Sequence, residues 1–197
     1  MRTIKVKTCF TKTNIYFHWA NALFITLLVL SGLWLHWPTY FPVFPLRWAK
    51  WTHSLSAMAF TFNFLAYMYY LIAKGLLINW IFRWGDLKRI PGFFAYVFFL
   101  KKEYYQPPED KYNTGQKLVY SSWIMVSILS IITGFSLYFL DNLIDLTAYG
   151  SRGQSLRYIH YLLTLYWIIT IPTHIYLSLT EDPARLQSIF TGKLREE

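Results

Sequence analysis

Five histidines, His18, His36, His53, His160 and His174, stand in or beside long apolar stretches of this chain. A neutral imidazole suits such a place. It bears no charge, and one ring nitrogen donates a hydrogen bond while the other offers a lone pair to a metal. Ionisable side chains inside hydrocarbon are costly, so they point to function by default. Three chemistries are open: metal ligation, proton relay, and simple packing or hydrogen bonding. Zinc asks for about four nitrogen, sulfur or carboxylate ligands, and no depth of the chain collects them. A proton relay normally recruits Asp or Glu, yet the apolar stretches hold no acidic residue until Asp141 and Glu181 at their edges.

The elements that must position the histidines are helices in a membrane. The sequence is 55% hydrophobic and only 15% charged, against about 25% charged in soluble proteins. Four apolar runs, at roughly 15–36, 52–73, 118–140 and 158–179, reach the length of about 20 residues that crosses hydrocarbon. They lack the polar stripe of a soluble amphipathic helix, which excludes a soluble bundle. The prediction is an all-α integral membrane four-helix bundle, a single membrane domain over 1–197. The first run is too long for a cleavable signal and lacks a small-residue cleavage site, so it is expected to stay as a span.

The net charge of +9 does not call for nucleic acid. Of the 19 Lys and Arg residues, 15 lie before the first run, between the second and third, or after the fourth. That positive-inside pattern predicts both termini, and the 74–117 loop, to be cytoplasmic.

With that orientation the histidines sort by depth. His18 and His174 lie toward the cytoplasmic side, and His53 and His160 toward the outer side. His160 and His174 are fourteen residues apart, about 21 Å along a helix and within about 40° of one face. Both can point into one interior, one near each surface. Two stacked bis-histidine haems use such a layout, with a neutral imidazole from each of two helices on each iron. His36, eighteen residues from His18 and at the outer helix end beside Trp37 and Pro38, competes with His53 as the outer ligand. Cys9 is the sole cysteine, which excludes an internal disulfide, and no C-x-x-C-H exists for covalent haem attachment.

The remaining segments give further expectations. Span 2 is expected to continue as a helix past Lys74 through GLLINWIFRW. FFAYVFFLKK is apolar but too short to span, and should lie at the interface. In span 3, Ser121, Ser122, Ser127, Ser130 and Gly134 suit close helix packing, with no iron ligand. Asn63 should make an interhelical hydrogen bond. The tail should form a short helix with a frayed end. Pro172, two residues before His174, is expected to kink span 4.

Several stretches carry a family resemblance: FHWANALFITLLVLSGL at 17–33, KYNTGQKLVY at 111–120, the His160–His174 spacing, HIYLSL at 174–179 and SIFTGK near the end. Together they resemble the membrane di-haem cytochrome b (gamma) subunits of respiratory formate dehydrogenases, related to those of thiosulfate reductases and nickel-iron hydrogenases. The resemblance implies two haem b groups, His53 paired with His160 outside and His18 with His174 inside. It also implies a quinone pocket beside the inner haem. The Y-N-x-G-Q-K motif there maps to Tyr112, Asn113, Gly115, Gln116 and Lys117, with His174 nearby; an ordinary turn is the plainer reading of NTG. It further implies a bacterial cytoplasmic (inner) membrane location and menaquinone or ubiquinone as electron partner. The implied partners are an iron–sulfur subunit and a catalytic molybdenum or tungsten (or nickel-iron) subunit. The chain has no ligand set for those catalytic metals. A stand-alone quinol-oxidising di-haem cytochrome and a passive haem-free anchor are the competing readings.

Overall fold

The computed structural model describes residues 5–8, 10–40, 45–97, 100, 112–143, 150–180 and 183–196. Cys9, Lys111 and parts of FFAYVFFLKK lie outside the described residues. Four helices are long and apolar enough to cross a membrane: α1 (Lys12–His36), α2 (Leu46–Ala73), α5 (Thr114–Leu143) and α6 (Gly150–Thr180). Short helices α3 (Trp84–Leu87) and α4 (Ile90–Val97) precede α5, and α7 (Pro183–Thr191) follows α6. The architecture is all-α, as the composition predicts, with one small addition. Strand β1 (Lys5–Thr8) pairs antiparallel with β2 (Lys193–Glu196), Lys5 opposite Glu196.

The surface is reversed relative to a soluble protein. Phe62 and Leu30 are 79% and 60% exposed, whereas Ser31, Ser56, Asn63 and Thr133 are buried. Lipid is the solvent that tolerates the first group. Polar side chains inside are satisfied locally: the hydroxyls of Thr61, Thr164 and Thr170 each donate to the carbonyl four residues back.

The chain forms two compact units. The first comprises Met1–Leu65 and Thr133–Glu197, the second Ala66–Ile132. In the first, Thr11 caps α1, its hydroxyl accepting from the Asn14 N–H at 3.2 Å. At the other end α1 stops before Pro38, which starts a 3-10 turn at Pro38–Tyr40. Asn63 Nδ2 of α2 donates to Asn21 Oδ1 of α1 at 2.8 Å, the interhelical bond expected of Asn63. The frayed tail expected from the sequence is instead tied down. Trp19 Nε1 donates to the Ile189 carbonyl at 3.3 Å, and the Trp19 ring rests on Phe190. Gly192 ends α7 with φ 74°, a conformation open to glycine, and a Cβ there would meet the Phe10 carbonyl at 3.1 Å. The β1–β2 pairing therefore holds both ends of the chain together.

In the second unit α2 does not continue past Lys74. Gly75 takes φ 64°. Its N–H bonds the Ile72 carbonyl at 3.0 Å and the Leu76 N–H bonds that of Leu71 at 2.8 Å. This Schellman stop satisfies the last carbonyls and turns the chain, so the predicted helical extension is replaced by a 3-10 turn at Leu77–Asn79. The Trp80 ring packs against Tyr67, Tyr112 and Tyr120. Ser121 Oγ donates to the Trp80 carbonyl and accepts from the Phe82 N–H.

The Asn21–Asn63 bond gives a test. Double-mutant analysis with Asn21→Leu and Asn63→Leu should yield a coupling of about 0.6 kcal/mol, up to ~2, in unfolding of the detergent-solubilised protein. Additive single effects would contradict the bond.

Candidate functional site

Both histidine pairs belong to the first unit. His160 and His174 are carried by α6, His18 by α1 and His53 by α2. The His53 and His160 ring centroids are 6.2 Å apart with planes at 78°. Those of His18 and His174 are 6.4 Å apart at 55°. All four rings are half-buried. His36 is placed elsewhere: its ring stacks on Tyr161 at 4.2 Å and 9°, with Trp37 at its edge. The geometry thus brings His53, not His36, to His160. Pro172 lies inside α6, which runs on to Thr180.

The spacing fits a shared metal atom. An imidazole nitrogen lies about 1.1 Å from its ring centroid and a metal–nitrogen bond is about 2.0–2.1 Å. Two in-line imidazoles on one metal therefore place their centroids about 6.3 Å apart. Among the described residues no group of three or more His, Cys, Asp or Glu gathers to hold a metal ion. Two protein ligands are too few for structural zinc. They suit an iron whose other four positions are filled by a porphyrin.

The His53–His160 pair has close neighbours that sequence reasoning missed. Ser31 Oγ lies 3.0 Å from His53 Nδ1, and Thr133 Oγ1 lies 2.8 Å from His160 Nδ1. Each hydroxyl is followed by a glycine facing the same ring. A Cβ at Gly32 would sit 3.3 Å from His53 Cε1, and one at Gly134 3.2 Å from His160 Cε1. Gly134, expected only to help helices pack, therefore makes room for a histidine. The available signal was a repeated dipeptide: Ser31-Gly32 in α1 and Thr133-Gly134 in α5.

The Y-N-x-G-Q-K residues belong to the second unit and His174 to the first. Asn113 Oδ1 accepts from the Gln116 N–H at 2.8 Å, and Gln116 Oε1 accepts from the Asn113 N–H at 3.1 Å. This is a reciprocal capping box that starts α5. A Cβ at Gly115 would overlap the Phe93 ring of α4, so glycine lets α4 pack against the cap. Tyr112 is buried. Lys117 is also buried, its Nζ 3.6 Å from Asp86 Oδ1, an atom that also accepts from Arg89 at 3.2 Å. The Arg83 N–H donates to the other Asp86 oxygen. The carboxylate is matched by cations and a backbone donor, which is how such a group survives burial.

Four apolar helices and two imidazole pairs define a membrane haem b electron-transfer subunit. The chain matches the family described as prokaryotic cytochrome b561 over residues 10–192 and belongs to that family. The match makes it a bacterial membrane protein. No curated protein matches the chain.

The glycine contacts generate a prediction. Gly134→Val should displace His160 and lower the haem b bound per chain, measured by pyridine haemochrome. Gly85→Ala, where a Cβ meets open space, should leave it unchanged. Full haem content in Gly134→Val would contradict the close contact.

Proposed function

We propose that this chain is a di-haem b subunit carrying electrons between an iron–sulfur partner subunit and the quinone pool, in a formate dehydrogenase-like respiratory complex. The observation that carries the reading is the repetition of one geometry. Two imidazole pairs of near-equal spacing share helix α6, fourteen residues apart. In this reading His53 and His160 hold one iron, and His18 and His174 the other. Haem b, when bound, supplies a one-electron redox centre at each depth. The protein's part is to donate neutral nitrogens, so that no ligand charge is stranded in hydrocarbon, and to fix each ring.

The orientation proposed is both termini in the cytoplasm. The strand pairing supports a common side for the two ends, and the Lys and Arg distribution supports the cytoplasmic side. The proposed quinone contact within the second unit is Asn113, with Gly115 and Gln116. The capping box uses Asn113 Oδ1. Its amide N–H2 remains the donor for a quinone carbonyl, and cytoplasmic water supplies the protons that the reduced quinone takes up. The catalytic molybdenum, tungsten or nickel-iron centre belongs to another subunit.

Two experiments test this. His160→Ala and His174→Ala should each abolish or shift a different haem in the dithionite-reduced minus oxidised spectrum. Loss of the same haem in both would sink the pairing. Asn113→Asp keeps a capping acceptor and removes the amide donor, so it should retain the parent's stability and lose most quinone turnover. Asn113→Ala should also lose about 1 kcal/mol through the cap. Parent-like turnover in Asn113→Asp would remove Asn113 from the quinone site. A hydrogenase or thiosulfate or polysulfide reductase partner, or purification alone with quinol oxidation, would replace the formate dehydrogenase assignment.

A further inference from the structure

The Ser31 and Thr133 hydroxyls meet the same atom of two facing histidines, from two different helices. Ser31 Oγ is the more constrained of the two. It donates to the Leu27 carbonyl of its own helix, with Leu28 as a second acceptor. A hydroxyl has one proton, so toward His53 it can only accept. His53 Nδ1 must then carry its proton, shared between Ser31 Oγ and the Leu28 carbonyl beside it, which leaves the lone pair on Nε2. Thr133 occupies the equivalent place on His160 Nδ1. Among the described residues, no hydroxyl meets the ring of His18.

We propose that Ser31 and Thr133 are positioning residues for the His53–His160 pair: they fix both rings with Nδ1 protonated and Nε2 available to iron, and hold that haem at a lower potential than it would otherwise have. The inference rests on the di-haem reading. An Nδ1–H donated to an oxygen fixes the ring orientation and makes the other nitrogen a stronger electron donor. A stronger donor favours the oxidised iron, and hydrogen bonding around axial ligands is one of the protein's levers on haem potential. Gly32 and Gly134 complete the device. A Cβ at Gly32 or Gly134 would crowd the same ring, at 3.3 and 3.2 Å from Cε1, so glycine there eases the approach of each hydroxyl to its Nδ1.

The test is potentiometric titration of the haem b absorbance in purified parent, Ser31→Ala, Thr133→Val and Thr133→Ser proteins, with haem counted by pyridine haemochrome. The expected result is a rise in the midpoint of one haem, the same one in Ser31→Ala and Thr133→Val, with the other haem fixed. Thr133→Ser, which keeps the hydroxyl, should stay at the parent value. Two haems with parent midpoints in both Ser31→Ala and Thr133→Val would overturn the proposal, as would shifts falling on different haems. Should Ser31→Ala lose its haem, the contrast of Thr133→Val with Thr133→Ser decides. A parent chain without two haems would instead refute the di-haem reading itself.

Discussion

A charged or unsatisfied group in hydrocarbon is expensive, and the histidine pairs depend on meeting that constraint twice. A neutral imidazole meets it when one nitrogen is hydrogen-bonded and the other is a ligand. Helix α6 carries an imidazole toward each end, and the fourteen-residue interval keeps both on one face. The other members come from α1 and α2. The helices that face His53 and His160 present small polar residues rather than bulk, as Ser31-Gly32 and Thr133-Gly134 show. Inner polarity and outer apolarity are two consequences of lipid as solvent.

The second unit solves a different problem, the start of a long apolar helix beside the short helix α4. The first turn of α5 has orphan N–H groups that lipid cannot satisfy. Asn113 and Gln116 supply the cap, and Gly115 lets Phe93 cover it. The Asp86 carboxylate ties α3 to α5 through Lys117. A motif that resembles a quinone site is therefore also a structural joint. The two roles are compatible, because the cap consumes the Asn113 carbonyl oxygen and not its amide hydrogens.

The spans were legible because runs of this length and apolarity admit little else in a bilayer. Their starts were less so: α2 begins at Leu46 and α6 at Gly150, several residues before the apolar runs. Helical hydrogen bonding continues into the interface, where polar residues are tolerated and composition no longer marks the element. The Gly75 stop was missed because GLLINWIFRW is as apolar as the span before it, and only a positive φ ends the helix. The terminal ribbon pairs two four-residue segments from opposite ends of the chain, a contact no local pattern carries. The grouping of the histidines came from where each falls along its span and from the family resemblance, and helix geometry added that His160 and His174 share one face. The sequence already favoured His53 over His36, which sits at a helix end beside Trp37 and Pro38, and in the structure the His36 ring stacks on Tyr161. Ser31 and Thr133 were hidden because a hydroxyl in a membrane helix ordinarily bonds its own backbone, as Thr26 and Thr61 do.

The central claim is that one chain holds two haems, one for each imidazole pair. The most direct measurement is the haem b to protein ratio of the purified subunit, from pyridine haemochrome absorbance against amino-acid analysis. The account predicts two haems per chain. A folded preparation with one haem would break one of the pairs, and a colourless one would contradict the claim outright.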